Sequence, residues 1–345
     1  MTSAETRVDV LVIGAGPIGI ETAVVLAGEG YRVLTVDAGA IGATIARTFP
    51  PDTRFFTSPE RLVIRGHNIQ TTTQEKLTGE QYLAYLRAIV ATTGIPVRTF
   101  RRVTDIQGSA GDFRVRLRDS AATPSTVRCA TVVLATGGTD RPRRLGVPGE
   151  DLPHVHHYLR QPHDFFGRRV LVVGGRNSAA ESALRLYRIG AEVLLSYRQR
   201  ELHPRVKFWI RPEVVSLMAE QQITGLLPST VSSIAAGSVT LTTPEGQARV
   251  PVDDVLLQIG FEQDRSIFEL AGVGLTGPER APIHDPATMQ SQVPGVFVVG
   301  TATAGSQDGF TVFIENCHQH ADRVAACLAG RPAPAPQPVR PLPES

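Results

Sequence analysis

Gly14, Gly16 and Gly19, in the string GAGPIG, have the spacing of a turn that brings backbone against a phosphate. The residues before them, Val10–Ile13, are apolar, and those after them carry a helical pattern as far as Gly30. A second turn of this kind, GGRNSA from Gly174, follows the apolar run Val170–Val173. Laid over one another, the copies match Gly14 with Gly174, Glu21 with Glu181 and Gly30 with Gly190. The first glycine permits the tight turn, the second a close approach to a pyrophosphate, and the third close packing of helix on strand. The helix that follows offers unpaired N–H groups and the positive end of its dipole. Two copies in this strand–turn–helix context predict two bound dinucleotides, and two dinucleotides on one chain imply a redox reaction.

The copies differ in their chemistry. Asp37 closes the second strand of the first copy, where a carboxylate accepts from ribose hydroxyls and repels a 2′-phosphate. That copy suits FAD or NAD. In the second copy the position is Tyr197, followed by Arg198, Gln199 and Arg200. Guanidinium forks suit a 2′-phosphate, so the second copy reads as an NADPH site. Arg176 replaces the middle glycine there and is expected to turn toward the phosphates. The apolar strand Thr131–Gly138 ends in ATGG, which is expected to place a threonine and two glycines close to the nucleotide.

Around these turns the chain reads as an α/β protein with two Rossmann-like dinucleotide-binding domains. The boundaries are expected at 1–150 with 285–330 for a discontinuous FAD domain, 151–284 for the inserted NADPH domain, and 331–345 for a proline-rich, disordered tail. Residues 79–93 have helical spacing with Gly94 and Pro96 as stop signals. Phe113–Arg118 and Ser125–Ala130 alternate like half-buried strands. The segment 44–66 places Phe49, Phe55 and Phe56 near the first turn in sequence.

With 345 residues, 42% apolar and 20% charged, the chain is long enough for two cores of ordinary globular composition. A net charge of +2 gives no argument for nucleic acid or membrane binding. No apolar run approaches the roughly 20 residues that span a bilayer, and a cytoplasmic location is expected. Cys129, Cys317 and Cys327 form no CxxC, so buried reduced thiols are the default reading. His154, His156 and His157 lack the companions of a metal site and read as a polar hinge strand, so no metal is expected. Arg205, Lys207 and Arg211 beside Trp209 read as a solvated basic face with cofactor phosphate contacts, or as a dock for an anionic substrate.

In order along the chain, GAGPIG, ATGG, the second glycine turn and VPGVFVVG resemble the thioredoxin-reductase-like flavoproteins, over nearly the whole chain except the tail. VVGGRNSAAESAL, RVKFWIRPEV, FFTSPERL and FTVFIENCHQH look most like the YpdA-type bacillithiol disulfide reductases. The resemblance implies an NADPH-dependent FAD enzyme that reduces a low-molecular-weight disulfide, assembled as a homodimer or homotetramer. By position, Gly14, Gly16, Pro17, Gly19, Asp37, Ala135, Thr136, Gly137, Gly300 and Thr301 would face FAD. Gly174, Gly175, Arg176, Asn177, Ser178, Ala179, Arg198 and Arg200 would face NADPH.

Two departures bear on mechanism. Thioredoxin reductases carry a CxxC between the ATG strand and the second turn, and this chain has none, so an internal dithiol is ruled out. YpdA-type enzymes often carry a cysteine inside the first glycine turn, where this chain has Ile18. Cys317 is then the one candidate redox thiol. A ferredoxin or flavodoxin reductase of the same build, with a small redox protein as acceptor, is an alternative. A flavin monooxygenase is another, although Val147 stands where its FxGxxxH motif needs phenylalanine. A non-enzymatic flavin redox sensor is the last.

Overall fold

The computed structural model describes residues 5–71 and 75–335. Contacts divide the chain into two compact units. Among the described residues, one takes 5–46, 57–141 and 262–335; the other takes Arg47–Phe56 and Pro142–Phe261.

In the first unit, β1 (Thr6–Ile13), α1 (Pro17–Gly28) and β2 (Val33–Val36) are the first strand–helix–strand repeat. The two strands pair in parallel, from Val10 with Val33 to Ile13 with Val36. α2 (Gly79–Thr93) is the helix expected from apolar spacing. The Thr78 hydroxyl accepts from the Gln81 N–H, the Gln81 side chain accepts from the Thr78 N–H, and Gly94 at φ +67° ends the helix. After β3 (Val97–Arg98), β4 (Arg101–Ser109), β5 (Asp112–Asp119) and β6 (Pro124–Leu134) form an antiparallel meander. The sequence suggests two strands over 125–138, and the structure joins most of that stretch into β6. Its first half alternates in burial beside β5. Thr131–Leu134 is fully buried between two parallel neighbours, β1 and the strand Val296–Val298. The sheet runs β3-β2-β1-β6-β5-β4, with Val296–Val298 also on β6.

The second unit repeats the scheme. β7 (Val155–His156), β8 (Arg169–Val173), α3 (Asn177–Arg188) and β9 (Glu192–Ser196) are followed by α4 (Arg211–Ala219) and β10 (Ile223–Leu226). β11 (Thr230–Ala235), β12 (Ser238–Thr243) and β13 (Gly246–Pro251) form a separate antiparallel sheet. β14 (Asp254–Leu257) completes a parallel sheet of order β10-β9-β8-β14-β7. One face of it packs on α3 through Val170, Val172, Ala180 and Leu184. The other packs on β11 and β12 through Leu171, Val173, Val231 and Leu241.

The crossings between units fall at Arg141/Pro142 and Phe261/Glu262, ahead of the expected 150/151 and 284/285. Packing explains both shifts. The Ile234 N–H donates to Pro148 O at 2.8 Å, and a Cβ on Gly149 would lie 1.9 Å from Ile234 O, so this stretch is sewn to β11. Ile267 and Phe268 are buried with Val115 and Leu117 in the core of the first unit. The segment Arg47–Phe56 packs with the second unit, although it lies between elements of the first in sequence. There Phe56 lies 5.7 Å from the Trp209 ring. Of the expected tail, residues from 336 lie outside the described residues, while the Arg331 guanidinium pairs with Glu29 at 2.8 Å. Among the described residues no helix is long and apolar enough to cross a membrane.

Candidate functional site

The first glycine turn joins β1 to α1. Gly14 has φ +115°, and a Cβ there would lie 2.4 Å from Ala135 O. A Cβ on Gly19 would lie 2.0 Å from Gly14 O. The fold itself therefore requires both glycines. Gly16 is different: it is the extended N-cap of α1, before Pro17, and a Cβ on it meets nothing within 4 Å. Open space at a helix N-terminus is what an incoming phosphate needs. The Asp37 carboxylate accepts from the Ala15 N–H and the Gly39 N–H, each at 2.7 Å. It braces the turn, a role that spacing alone does not reveal.

The other expected residues of this site converge on the same turn. Thr136 Oγ1 is buried without a hydrogen-bond partner. Gly137 has φ +82°, and a Cβ on it would lie 3.7 Å from Thr301 Oγ1. A Cβ on Gly300 would lie 3.1 Å from Ile18 Cβ. Gln263 carries no sequence signal, yet its Nε2 donates to Gly137 O and Ala302 O, at 2.9 and 2.8 Å. It was invisible because a lone polar residue after a short strand belongs to no pattern.

Behind α1 lies a buried polar cluster. His318 Nδ1 is 2.6 Å from Glu21 Oε2, and its Nε2 is 2.9 Å from Arg61 O. Both ring nitrogens face acceptors, so the ring is held as an imidazolium. Burial pulls its pKa down, but the Glu21 carboxylate and the Arg61 carbonyl outweigh burial and the net shift is upward. His320 goes the other way. Its Nδ1 accepts from the Gly300 N–H at 3.0 Å, and burial, helped by the nearby Arg323 charge, lowers its pKa to about 3. Cys317 does not meet the requirement for a nucleophile. It is 0% exposed, and burial with the nearby Glu315 and Glu21 charges pushes its thiol far above the ordinary range.

The second turn keeps the geometry and changes the chemistry. Gly174 has φ +142°, and a Cβ there would lie 2.3 Å from Gln258 O and 3.0 Å from Ala179 Cβ. Ala179 is the counterpart of Gly19. A Cβ on Gly175 would fall 2.3 Å from the Tyr197 ring. Tyr197 therefore lies flat on the turn residue that corresponds to Ala15, where the first copy has the Asp37 carboxylate. Arg176 is the exposed N-cap of α3, and Ser178 lies in its half-buried first turn. Burial and the Arg176 and Arg205 charges lower the His203 pKa, so cations gather at this helix start. Arg198 and Arg200 are exposed at the end of β9.

The loop beyond α3 engages several of the residues singled out in the sequence. The Asn177 side chain is taken by the loop beyond: its Oδ1 accepts from the Lys207 N–H at 2.7 Å and its Nδ2 donates to Arg205 O at 3.3 Å. Nor do Arg205, Lys207 and Arg211 form an open basic face. Lys207 is 7% exposed, with Nζ 3.0 Å from Glu181 Oε2 and 3.2 Å from Arg54 O, and Arg211 pairs with Glu201 at 3.2 Å. His156 likewise spends its Nε2 on Asp254, at 2.9 Å.

His320 gives the site an acid-side sensitivity whose sign is fixed. A depressed folded-state pKa means the contribution is full above the ordinary value of 6.5 and shrinks as pH falls toward about 3. His318, raised, has the opposite sign. Thermal midpoints of the wild type are expected to fall between about pH 7 and about pH 5 more steeply than those of His320→Gln, whose acceptor does not protonate. Parallel slopes would remove His320 from this role.

Residues 11–300 match the pyridine nucleotide-disulphide oxidoreductase family. The chain is 33% identical over 322 residues to bacilliredoxin reductase Bdr of Bacillus subtilis (strain 168), covering 93% of this chain and 97% of that protein. It is 28% identical over 306 residues to a ferredoxin–NADP reductase of Ignicoccus hospitalis, over 86% and 90% of the two chains. The solved structure of bacillithiol disulfide reductase Bdr (YpdA) from Bacillus cereus superposes with a TM-score of 0.89 at 31% identity, over 94% of this chain and 99% of that one. Membership implies nicotinamide and flavin cofactors. With its two glycine turns on two α/β units, the chain belongs to the pyridine nucleotide-disulphide oxidoreductase family and is an oxidoreductase.

Proposed function

We propose that this chain is an NADPH-dependent FAD enzyme that reduces a low-molecular-weight disulfide of the bacillithiol type. The contrast between the two turns carries the reading: a carboxylate braces the first, while Tyr197, Arg198 and Arg200 end the matching strand of the second. The residues present fit a flavin dinucleotide. Space is open over Gly16, and the buried Thr136 Oγ1 and Gln263 Oε1 lack partners that a ligand rich in hydrogen-bonding groups would supply.

Gly14, Gly16, Pro17, Gly19, Asp37, Ala135, Thr136, Gly137, Gly300 and Thr301 would hold FAD. Gly174, Gly175, Arg176, Ser178, Ala179, Arg198 and Arg200 would hold NADPH, with Asn177 contributing through its backbone. When bound, these cofactors supply hydride transfer. The chain's own part is to bind, orient and exclude water. Overall, NADPH and one proton convert a disulfide to two thiols and NADP⁺. Burial pushes the Cys129 thiol up to about 12 and raises the Cys317 thiol as well, so neither is suited to supply a thiolate. The half-buried Cys327 thiol is raised as well, which supports reduction of the substrate disulfide without a protein mixed disulfide.

The likeness to a ferredoxin–NADP reductase favours a second reading, with a one-electron protein acceptor. NADPH oxidation with bacillithiol disulfide and with ferredoxin, each as sole acceptor, separates the two. Turnover with ferredoxin alone would overturn the disulfide reading.

Gly16→Leu is expected to give folded but colourless protein, because its backbone suits any residue and the side chain fills only the phosphate's space. Stoichiometric flavin in that variant, by absorbance after desalting, would move the flavin elsewhere. Arg198→Ala is expected to weaken NADPH use by about tenfold and leave NADH nearly unchanged, since a charged hydrogen bond to a phosphate is worth roughly 1.5–3 kcal/mol. Equal losses of kcat/KM with both nucleotides would make Arg198 structural.

A further inference from the structure

Gln263 is 3% exposed and sits just past the chain's return into the first unit. Its backbone N–H donates to Ser306 Oγ at 2.9 Å. Its side-chain Nε2 has two hydrogens, and the two carbonyls it meets, Gly137 O and Ala302 O, use both. Those carbonyls belong to separate turns, one after β6 and the other in Gly300–Ala304. The turns are also pressed together, since a Cβ on Gly138 would lie 3.1 Å from Thr301 O. The two acceptors fix which end of the amide is nitrogen. The other end, Oε1, is then a buried acceptor with no donor. Leaving a buried acceptor unmade is costly, and folding has no need of it here, because an apolar side chain could fill the same volume.

We propose that Gln263 is a positioning residue of the flavin site, tying the Gly137 and Ala302 turns together and presenting Oε1 to a hydroxyl or ring N–H of the bound flavin dinucleotide. The proposal rests on the flavin reading above. It explains why a single amide bridges both turns and still keeps one unmatched acceptor. Thr136 Oγ1, the other orphaned atom beside these turns, marks the same region as built for a ligand with hydrogen-bonding groups of its own.

The test uses the holoenzyme and two variants. Gln263→Met keeps the volume and removes every side-chain hydrogen bond. Gln263→Glu keeps an acceptor but turns carboxylate oxygen on two carbonyls. Both are expected to release flavin about tenfold faster or more on dilution and to shift the flavin midpoint potential. Lower thermal midpoints with unchanged flavin release and potential would make Gln263 a plain structural staple and overturn the proposal. Wild-type protein that carries no flavin would instead overturn the flavin reading and the proposal with it. Should both variants fail to fold, the wild type decides: the Gln263 side-chain carbonyl carbon, followed by NMR, is expected to move downfield as FAD is titrated into the flavin-free protein. An unmoved resonance at saturation overturns the proposal.

Discussion

The first glycine turn depends on the close approach of α1 to the turn that launches it. With no side chain on Gly19, the helix start lies against Gly14 O, and with none on Gly14, the turn lies against Ala135 O. That contact sets where the helix N-terminus points and how near the end of β6 comes to it. Thr136, Gly137 and the Gly300 turn inherit their positions from it, and so does the polar scaffold that fixes them. Nothing larger than hydrogen fits at these two points, so the site's geometry is decided by what is missing from the backbone.

Each repeat solves the problem of the following helix in the same way. Glu21 and Glu181 occupy matching positions, both largely buried, and each is neutralised by a cation from far along the chain, His318 in one case and Lys207 in the other. Such pairs add little net stability, since desolvation offsets their attraction. Removing one partner of such a pair is costly, because it leaves the other charge buried and uncompensated. His318 brings Arg61 to α1 by its second nitrogen, while Lys207 brings Arg54 to α3 by its second hydrogen bond. The repeats diverge one layer out. Ala15 N–H has the Asp37 carboxylate, and Gly175 has a tyrosine ring in its place.

Much of this was legible in the sequence because it depends on local spacing. The glycine turns and the helix Gly79–Thr93 with its stop at Gly94 follow from periodicity and turn chemistry. Other features depend on partners distant in sequence and were not legible. Lys207 looks like a surface cation until Glu181 is folded against it. The bonds from both ends of the Asn177 amide to the 205–207 loop are likewise invisible until that loop is folded against α3. The unit boundaries moved because Gly149 and Phe268 are committed to packing that no pattern in their own stretch announces. Gln263 shows the limit most plainly: its importance lies in two carbonyls and one orphaned atom, none of which is near it in sequence.

Sealing the sulfur atoms has a further consequence. Oxidants attack thiolates that are formed and reachable, and this chain offers very little of either. Cys129 and Cys317 are buried with raised pKa values, and the half-buried Cys327 is raised as well. Peroxide therefore finds no low-pKa sulfur to carry along the path from sulfenic to sulfonic acid. The slow step for such damage is then the opening of the fold around each cysteine, so resistance to peroxide at these positions is tied to the stability of the packing that covers them.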